Sequence, residues 1–138
     1  MANLKSILLV EDDPVVGRAV ERAMTRAGLR VEHVRSCLAA RALRGPFDCA
    51  VMDIDLPDGN GVDLSADLSA DGVAHSTLFF TGSSDHELLA RARGIGPIVR
   101  KAEGTALLID LLMAEQIDPP RSQLKPKGPT QPVSSSRR

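Results

Sequence analysis

The sequence predicts an α/β fold, a doubly wound five-stranded parallel sheet with helices on both faces. Two observations predict it. Strand-sized apolar runs alternate five times with segments of helical spacing, which is the signature of successive βαβ units. Several of those runs stop abruptly at carboxylates or hydroxyls, as buried parallel strands do where they reach solvent.

The elements follow in order. Residues 6–10 form a continuous apolar run that ends in Glu11-Asp12-Asp13-Pro14, a buried strand with polar residues at its C-terminal end. Asp13 suits an N-cap and Pro14 the first turn of a helix. Val15, Val16, Ala19, Val20, Ala23 and Met24 then recur at helical spacing, and Gly28 supplies the stop. Residues 29–34 read as a second strand, and Ser36 caps a short Ala/Leu-rich helix that ends before Gly45-Pro46. Residues 49–54 read as the third strand, 57–61 as a dense turn and 62–68 as a short helix. Residues 76–80 make the fourth strand, with Thr81-Gly82-Ser83-Ser84 as its exit loop and a helix over 85–93. Residues 95–99 read as a fifth strand, and residues 103–117 as a final amphipathic helix.

The domain is expected over residues 1–117. Residues 118–138 carry five prolines among Ser, Lys and Arg and offer almost nothing to bury, so they read as a disordered tail. The formal net charge of −1 divides unevenly, +4 on the tail and −5 on the rest. An acidic body without Trp or Tyr argues against direct nucleic-acid binding. No apolar run is long enough to cross a bilayer and the N-terminus does not resemble a secretory signal, so a cytoplasmic protein is expected. Cys37 and Cys49 form no metal-ligand pattern and read as reduced core thiols. His33, His75 and His86 are scattered and read as surface or strand-end residues.

Ligands of doubly wound sheets bind at the carboxyl ends of the strands. The residues there are Glu11, Asp12, Asp53, Asp55, Thr81 and Lys101. Carboxylates held together repel, and a cation relieves the repulsion. Oxygen-only donors suit Mg²⁺, while a lysine and a hydroxyl suit phosphate oxygens. Such a set fits phosphoryl transfer to an aspartate. Asp13 reads as a helix cap, and Asp58-Gly59-Asn60-Gly61 as a turn, since its glycines lack the spacing of a phosphate loop.

Four segments, Ile7-Leu8-Leu9-Val10-Glu11-Asp12-Asp13-Pro14, Val51-Met52-Asp53-Ile54-Asp55-Leu56-Pro57-Asp58-Gly59-Asn60-Gly61, Phe80-Thr81-Gly82 and Val99-Arg100-Lys101, resemble the signatures of response-regulator receiver domains, in order and at strand ends. The resemblance implies a (βα)5 receiver fold of the flavodoxin-like type. It makes Asp53 the acceptor of a phosphoryl group from a histidine kinase or phosphotransfer protein, with Mg²⁺ (or Mn²⁺) as cofactor. It gives Asp12 to the metal directly, Glu11 through water and Asp55 through its backbone carbonyl. Thr81 and Lys101 would bind phosphate oxygens, Gly82 would leave room for the group, and the side chains of Asp55 and Ser83 would tune the lifetime of the acyl phosphate. The protein would then be a phospho-acceptor and not an enzyme turning over a separate substrate.

Two residues depart from the family pattern. Ala102 stands where the family places a proline after the conserved lysine, so a trans bond and a re-routed loop are expected. Ile98 stands where the family places an aromatic residue that couples to the strand-four threonine. A branched aliphatic cannot swing a ring, so residues 85–117 are expected to respond weakly to phosphorylation. These departures keep open a second reading, a pseudo-receiver that binds partners without being phosphorylated. A phosphatase of the haloacid-dehalogenase type shares the Asp53-Ile54-Asp55 pattern but needs an acidic metal motif after the lysine, where only dispersed acids follow. Residues 118–138 are too few for an effector domain, so output is expected through contact with a downstream protein that the sequence does not identify. A homodimer through the fourth and fifth helices is a family option that the sequence leaves open.

Overall fold

The computed structural model describes residues 5–117. Five strands, β1 (Ser6–Val10), β2 (Arg30–Val34), β3 (Cys49–Met52), β6 (Thr77–Thr81) and β7 (Ile98–Arg100), form one sheet in the order β2-β1-β3-β6-β7. Every neighbouring pair in it is parallel. Two short strands, β4 (Asp55–Leu56) and β5 (Gly59–Asn60), close an antiparallel hairpin beside it. The doubly wound architecture read from the sequence is therefore the one adopted.

Alternation along the strands sorts the apolar residues into two cores. Leu8, Val10, Ala50, Met52 and Phe79 face the helices α2 (Cys37–Arg41), α3 (Gly61–Ala70) and α4 (His86–Arg93). Ile7, Leu9, Cys49, Val51, Leu78, Phe80 and Val99 face α1 (Pro14–Arg26) and α5 (Thr105–Ile117). Because both faces are covered, β1, β3 and β6 are apolar almost throughout. Both cysteines are buried and outside any disulfide, as expected.

Side-chain caps start four of the helices. Asp13 accepts from the Val15 and Val16 N–H groups, Ser36 from Ala39, Asn60 from Asp63 and Asp85 from Leu88. The turn acid Asp58 adds a long-range cap, since its two oxygens accept from the Cys37 and Leu38 N–H groups at the start of α2, at 2.8 and 2.9 Å. Those charge-assisted bonds hold its carboxyl below the ordinary range. Residues 58–60 thus serve helix ends, in keeping with a turn and not a phosphate loop.

β3, β7 and the last helix differ from the sequence reading. β3 ends at Met52, because the Asp53 side chain takes the next N–H of the chain, that of Ile54. β7 begins at Ile98 and not at residue 95. The Ile95 and Gly96 N–H groups fold back onto the Ala92 carbonyl and extend the end of α4, leaving Ile95 exposed. The last helix starts at Thr105, after a 3₁₀ turn over Lys101–Glu103 and Gly104 at φ 83. It is also less amphipathic than its pattern suggested. Leu108 and Leu112 are buried, Ile109, Leu111 and Met113 only partly so, and Leu107 is exposed.

The Lys101–Ala102 bond is trans, since among the described residues the one cis bond is Gly45–Pro46. A 3₁₀ turn over Lys101–Glu103 carries the chain from β7 toward α5. No helix of the described residues is long and apolar enough to cross a membrane. The tail read from residue 118 onward lies outside the described residues.

Candidate functional site

Strand order places the site. β2 lies on one side of β1 and β3 on the other, so the chain changes direction between β1 and β3 and opens a crevice at their carboxyl ends. Glu11 and Asp12 leave β1 and Asp53 leaves β3 on the two sides of that crevice. Thr81 closes β6, and Lys101 follows β7.

Asp53 is buried, and both of its oxygens are engaged. Oδ1 accepts from the Thr81 hydroxyl at 2.5 Å and from the Ile54 N–H at 2.7 Å. Oδ2 accepts from Lys101 Nζ at 2.8 Å. Lys101 also meets Glu11 Oε1 at 3.0 Å, so one ammonium serves two carboxylates. Glu11 and Thr81 are buried, and Lys101 is partly so. Carboxylate oxygens of Glu11, Asp12 and Asp53 lie within 4.8 Å of one another.

The electrostatics follow from this packing. Burial raises the Glu11 carboxyl above its ordinary pKa, although Lys101 and the Asp13 N–H pull it down. Burial works to lower the Lys101 ammonium, but Asp53 and Glu11 outweigh it and hold the lysine above its ordinary value. Three hard oxygen donors within one ion's reach fit Mg²⁺ or Mn²⁺.

The five residues Glu11, Asp12, Asp53, Thr81 and Lys101 therefore converge as the strand-end rule required. Asp55 stands on the same edge, with its N–H 3.4 Å from Asp53 Oδ1 and its exposed side chain turned to Ser83. Asp13 caps α1, as read from the sequence.

Backbone support comes from residues whose role the sequence did not reveal. His33 Nε2 lies 2.9 Å from the Glu11 carbonyl, which can only accept, so this nitrogen carries the proton. The Arg35 guanidinium donates to the Asp12 carbonyl at 3.2 and 3.3 Å. A glycine inside a helix was the available sign of the first contact. A Cβ on Gly17 would stand 2.3 Å from the His33 ring. Gly61 likewise admits the start of α3 to Asp53, since a Cβ there would lie 2.2 Å from the Asp53 carbonyl oxygen. The Gly61 N–H donates to Ile54 and fixes that approach.

The molecule is thus a doubly wound α/β domain with carboxylates at its switch point and a threonine and a lysine facing them. The chain belongs to the response regulator receiver domain family, whose model matches residues 7–113. It is similar to the probable transcriptional regulatory protein SilR of Salmonella typhimurium, 34% identical over 86 residues that make up 59% of this chain and 38% of that one. It is 29% identical to the acid tolerance regulatory protein ActR of Rhizobium meliloti over 127 residues, 87% of this chain and 66% of the relative. The response regulator receiver protein CpdR of Brucella abortus is 31% identical over 81 residues, 57% of this chain and 68% of the relative. The chain thus spans little more than a third of SilR and about two thirds of ActR and CpdR.

Among solved structures, the fold matches the signal receiver domain of an HD domain-containing protein from Pseudomonas fluorescens, with a TM-score of 0.76 at 20% identity. That match covers 91% of this chain and 96% of the other. The chemotaxis response regulator CheY4 of Vibrio cholerae matches with a TM-score of 0.65 at 18% identity, over 82% of this chain and 99% of the other.

Proposed function

We infer that the domain is a phospho-accepting receiver of a two-component or phosphorelay system, and that Asp53 is its acceptor. One observation carries this reading. The Asp53 carboxylate is held at once by a lysine and by a threonine hydroxyl, at an edge where two further carboxylates stand within a cation's reach.

A carboxylate oxygen of Asp53 attacks the phosphorus of a phosphohistidine on a histidine kinase or phosphotransfer protein. The P–N bond breaks, its electron pair leaves with the imidazole, and that nitrogen takes up one proton. Thr81 and Lys101 release Asp53 and turn to the phosphoryl oxygens, where a fixed hydroxyl and a point charge neutralise developing charge. Asp12 and Asp53, with Glu11 behind them and the Asp55 carbonyl, would hold Mg²⁺ (or Mn²⁺), which supplies the remaining positive charge for those oxygens. Hydrolysis later breaks the P–O bond and returns the carboxylate and inorganic phosphate. The domain is in this sense a phospho-acceptor and not an enzyme acting on a separate substrate.

The receiver unit is residues 1–117, and its output runs through contact with a downstream protein. A cytoplasmic setting belongs to the same reading. The interaction-module alternative draws on Ile98, a half-buried aliphatic packed against the α2–α4 core. The complete set of Glu11, Asp12, Asp53, Thr81 and Lys101 supports phosphorylation over it.

Intact mass measurement after incubation with Mg²⁺ and phosphoramidate tests the reading. A single labile phosphoryl adduct is expected, absent from Asp53→Ala and from a chelator control. A folded protein that takes up no phosphoryl group from phosphoramidate or from a phosphohistidine donor would sink it.

A further inference from the structure

Arg100 lies between Thr81 and the loop that follows it. The sheet register sets it beside Thr81. Strand alternation puts its side chain on the face of Ile98, toward α4, and its guanidinium Nη2 donates to the Ser83 carbonyl at 2.7 Å. Ser83 is buried and fully engaged. Its N–H donates to Thr81 Oγ1 at 3.0 Å, its hydroxyl donates to Asp55 Oδ1 at 3.1 Å, and its Oγ accepts from the Asp85 N–H at 3.1 Å.

Thr81 Oγ1 thus receives the Ser83 N–H and donates its own proton to Asp53 Oδ1. The direction of the hydroxyl is set by where Ser83 sits, and Ser83 is held from outside by Arg100. Three consecutive hydrogen bonds run from the guanidinium to the acceptor carboxylate. On its other side Arg100 is fixed by its own N–H, which donates to Glu103 Oε1 at 2.8 Å in the turn before α5.

We propose that Arg100 is a positioning residue for phosphoryl acceptance, holding Ser83 and through it the Thr81 hydroxyl in line with Asp53. It stands on the same strand face as the aliphatic Ile98, two residues away, and ties β7 to the loop after Thr81 by a hydrogen bond. The guanidinium suits the task because its charge strengthens a bond to a neutral carbonyl and its stem packs while its head reaches the loop. The inference rests on Asp53 being the acceptor.

The test compares wild-type protein, Arg100→Met and Arg100→Lys in phosphorylation by phosphoramidate at saturating Mg²⁺, with folding checked by circular dichroism. Both Arg100 variants keep an aliphatic stem, and only the lysine keeps a donor. Loss of a supporting group one shell out should lower the maximal rate of Arg100→Met about tenfold, with the half-saturating donor concentration unchanged. Arg100→Lys should recover most of the rate. A wild-type rate in Arg100→Met, or equal losses in the Met and Lys variants, would overturn the role of Arg100 while leaving Asp53 as acceptor. No adduct on the wild-type protein would overturn both.

Discussion

The Lys101 ammonium stands 2.8 Å from Asp53 and, in the same position, 3.0 Å from Glu11. It neutralises these two carboxylates, as a divalent cation would. Removing it should therefore have opposite effects on two measurements. Lys101→Met should bind Mg²⁺ more tightly by calorimetry, because Glu11 and Asp53 lose their competing cation. It should accept phosphate about a hundredfold more slowly, as expected for a lost donor to developing charge. Weaker Mg²⁺ binding in this variant would show that the lysine organises the carboxylates instead of competing for them.

Thr81→Val keeps the shape of the side chain but removes the hydroxyl. Asp53 Oδ1 then loses its shortest bond, and the buried Ser83 N–H loses its acceptor. The variant should be destabilised by about 1–3 kcal/mol in urea unfolding followed by circular dichroism. Its phosphorylation rate should fall well below that of Thr81→Ser, which keeps the hydroxyl.

The raised Glu11 carboxyl gives a pH dependence with a definite sign. Between the ordinary glutamate range and its raised value, the folded protein holds a proton that the unfolded chain does not. Stability contributed by this group therefore falls as pH rises through that window. Metal binding requires the carboxylate, so Mg²⁺ affinity should rise over the same window and binding should release protons. Calorimetry in two buffers of different ionisation enthalpy measures the release. A Mg²⁺ affinity flat with pH across the window would contradict it.

Gly61→Ala should act on the acceptor through the backbone. The added Cβ would fall 2.2 Å from the Asp53 carbonyl oxygen, and backbone yields less readily than a flexible side chain. A loss of roughly 1–3 kcal/mol is expected in chemical unfolding, together with slower phosphorylation. An unchanged unfolding midpoint would mean that α3 can retreat without moving Asp53.

If Asp53 is phosphorylated as proposed, Ile98 and the bonds around Ser83 should limit how far the change spreads. With beryllofluoride and Mg²⁺ bound, changes in amide exchange should concentrate at residues 81–85 and 100–103, where the hydrogen bonds from Asp53 lead. They should be small across α4 and α5. Strong new protection along both helices would show a readout that does not need an aromatic residue at position 98.

Much of this arrangement was legible before any coordinates. The apolar runs at Ile7 and Thr77 read as buried strands, and the caps at Asp13 and Ser36 set helix starts, because these signals are local. Ile95 misled, since its apolar side chain suggested strand while its N–H bonds back to Ala92. Convergence of Asp53, Thr81 and Lys101 depends on strand order, which spacing alone does not encode, and came from the strand-end rule together with the family resemblance. The contacts of Arg100 with Ser83, and of His33 with Glu11, join residues 17 and 22 positions apart through side chain and backbone. Nothing periodic marks such pairs.

The central claim is that Asp53 itself takes the phosphoryl group. Borohydride reduction of the phosphorylated protein converts an aspartyl phosphate to homoserine, and tandem mass spectrometry then locates it. The account predicts homoserine at position 53, dependent on Mg²⁺ during labelling. Homoserine at position 12 or 55 instead, or at no position in a labelled protein, would contradict it.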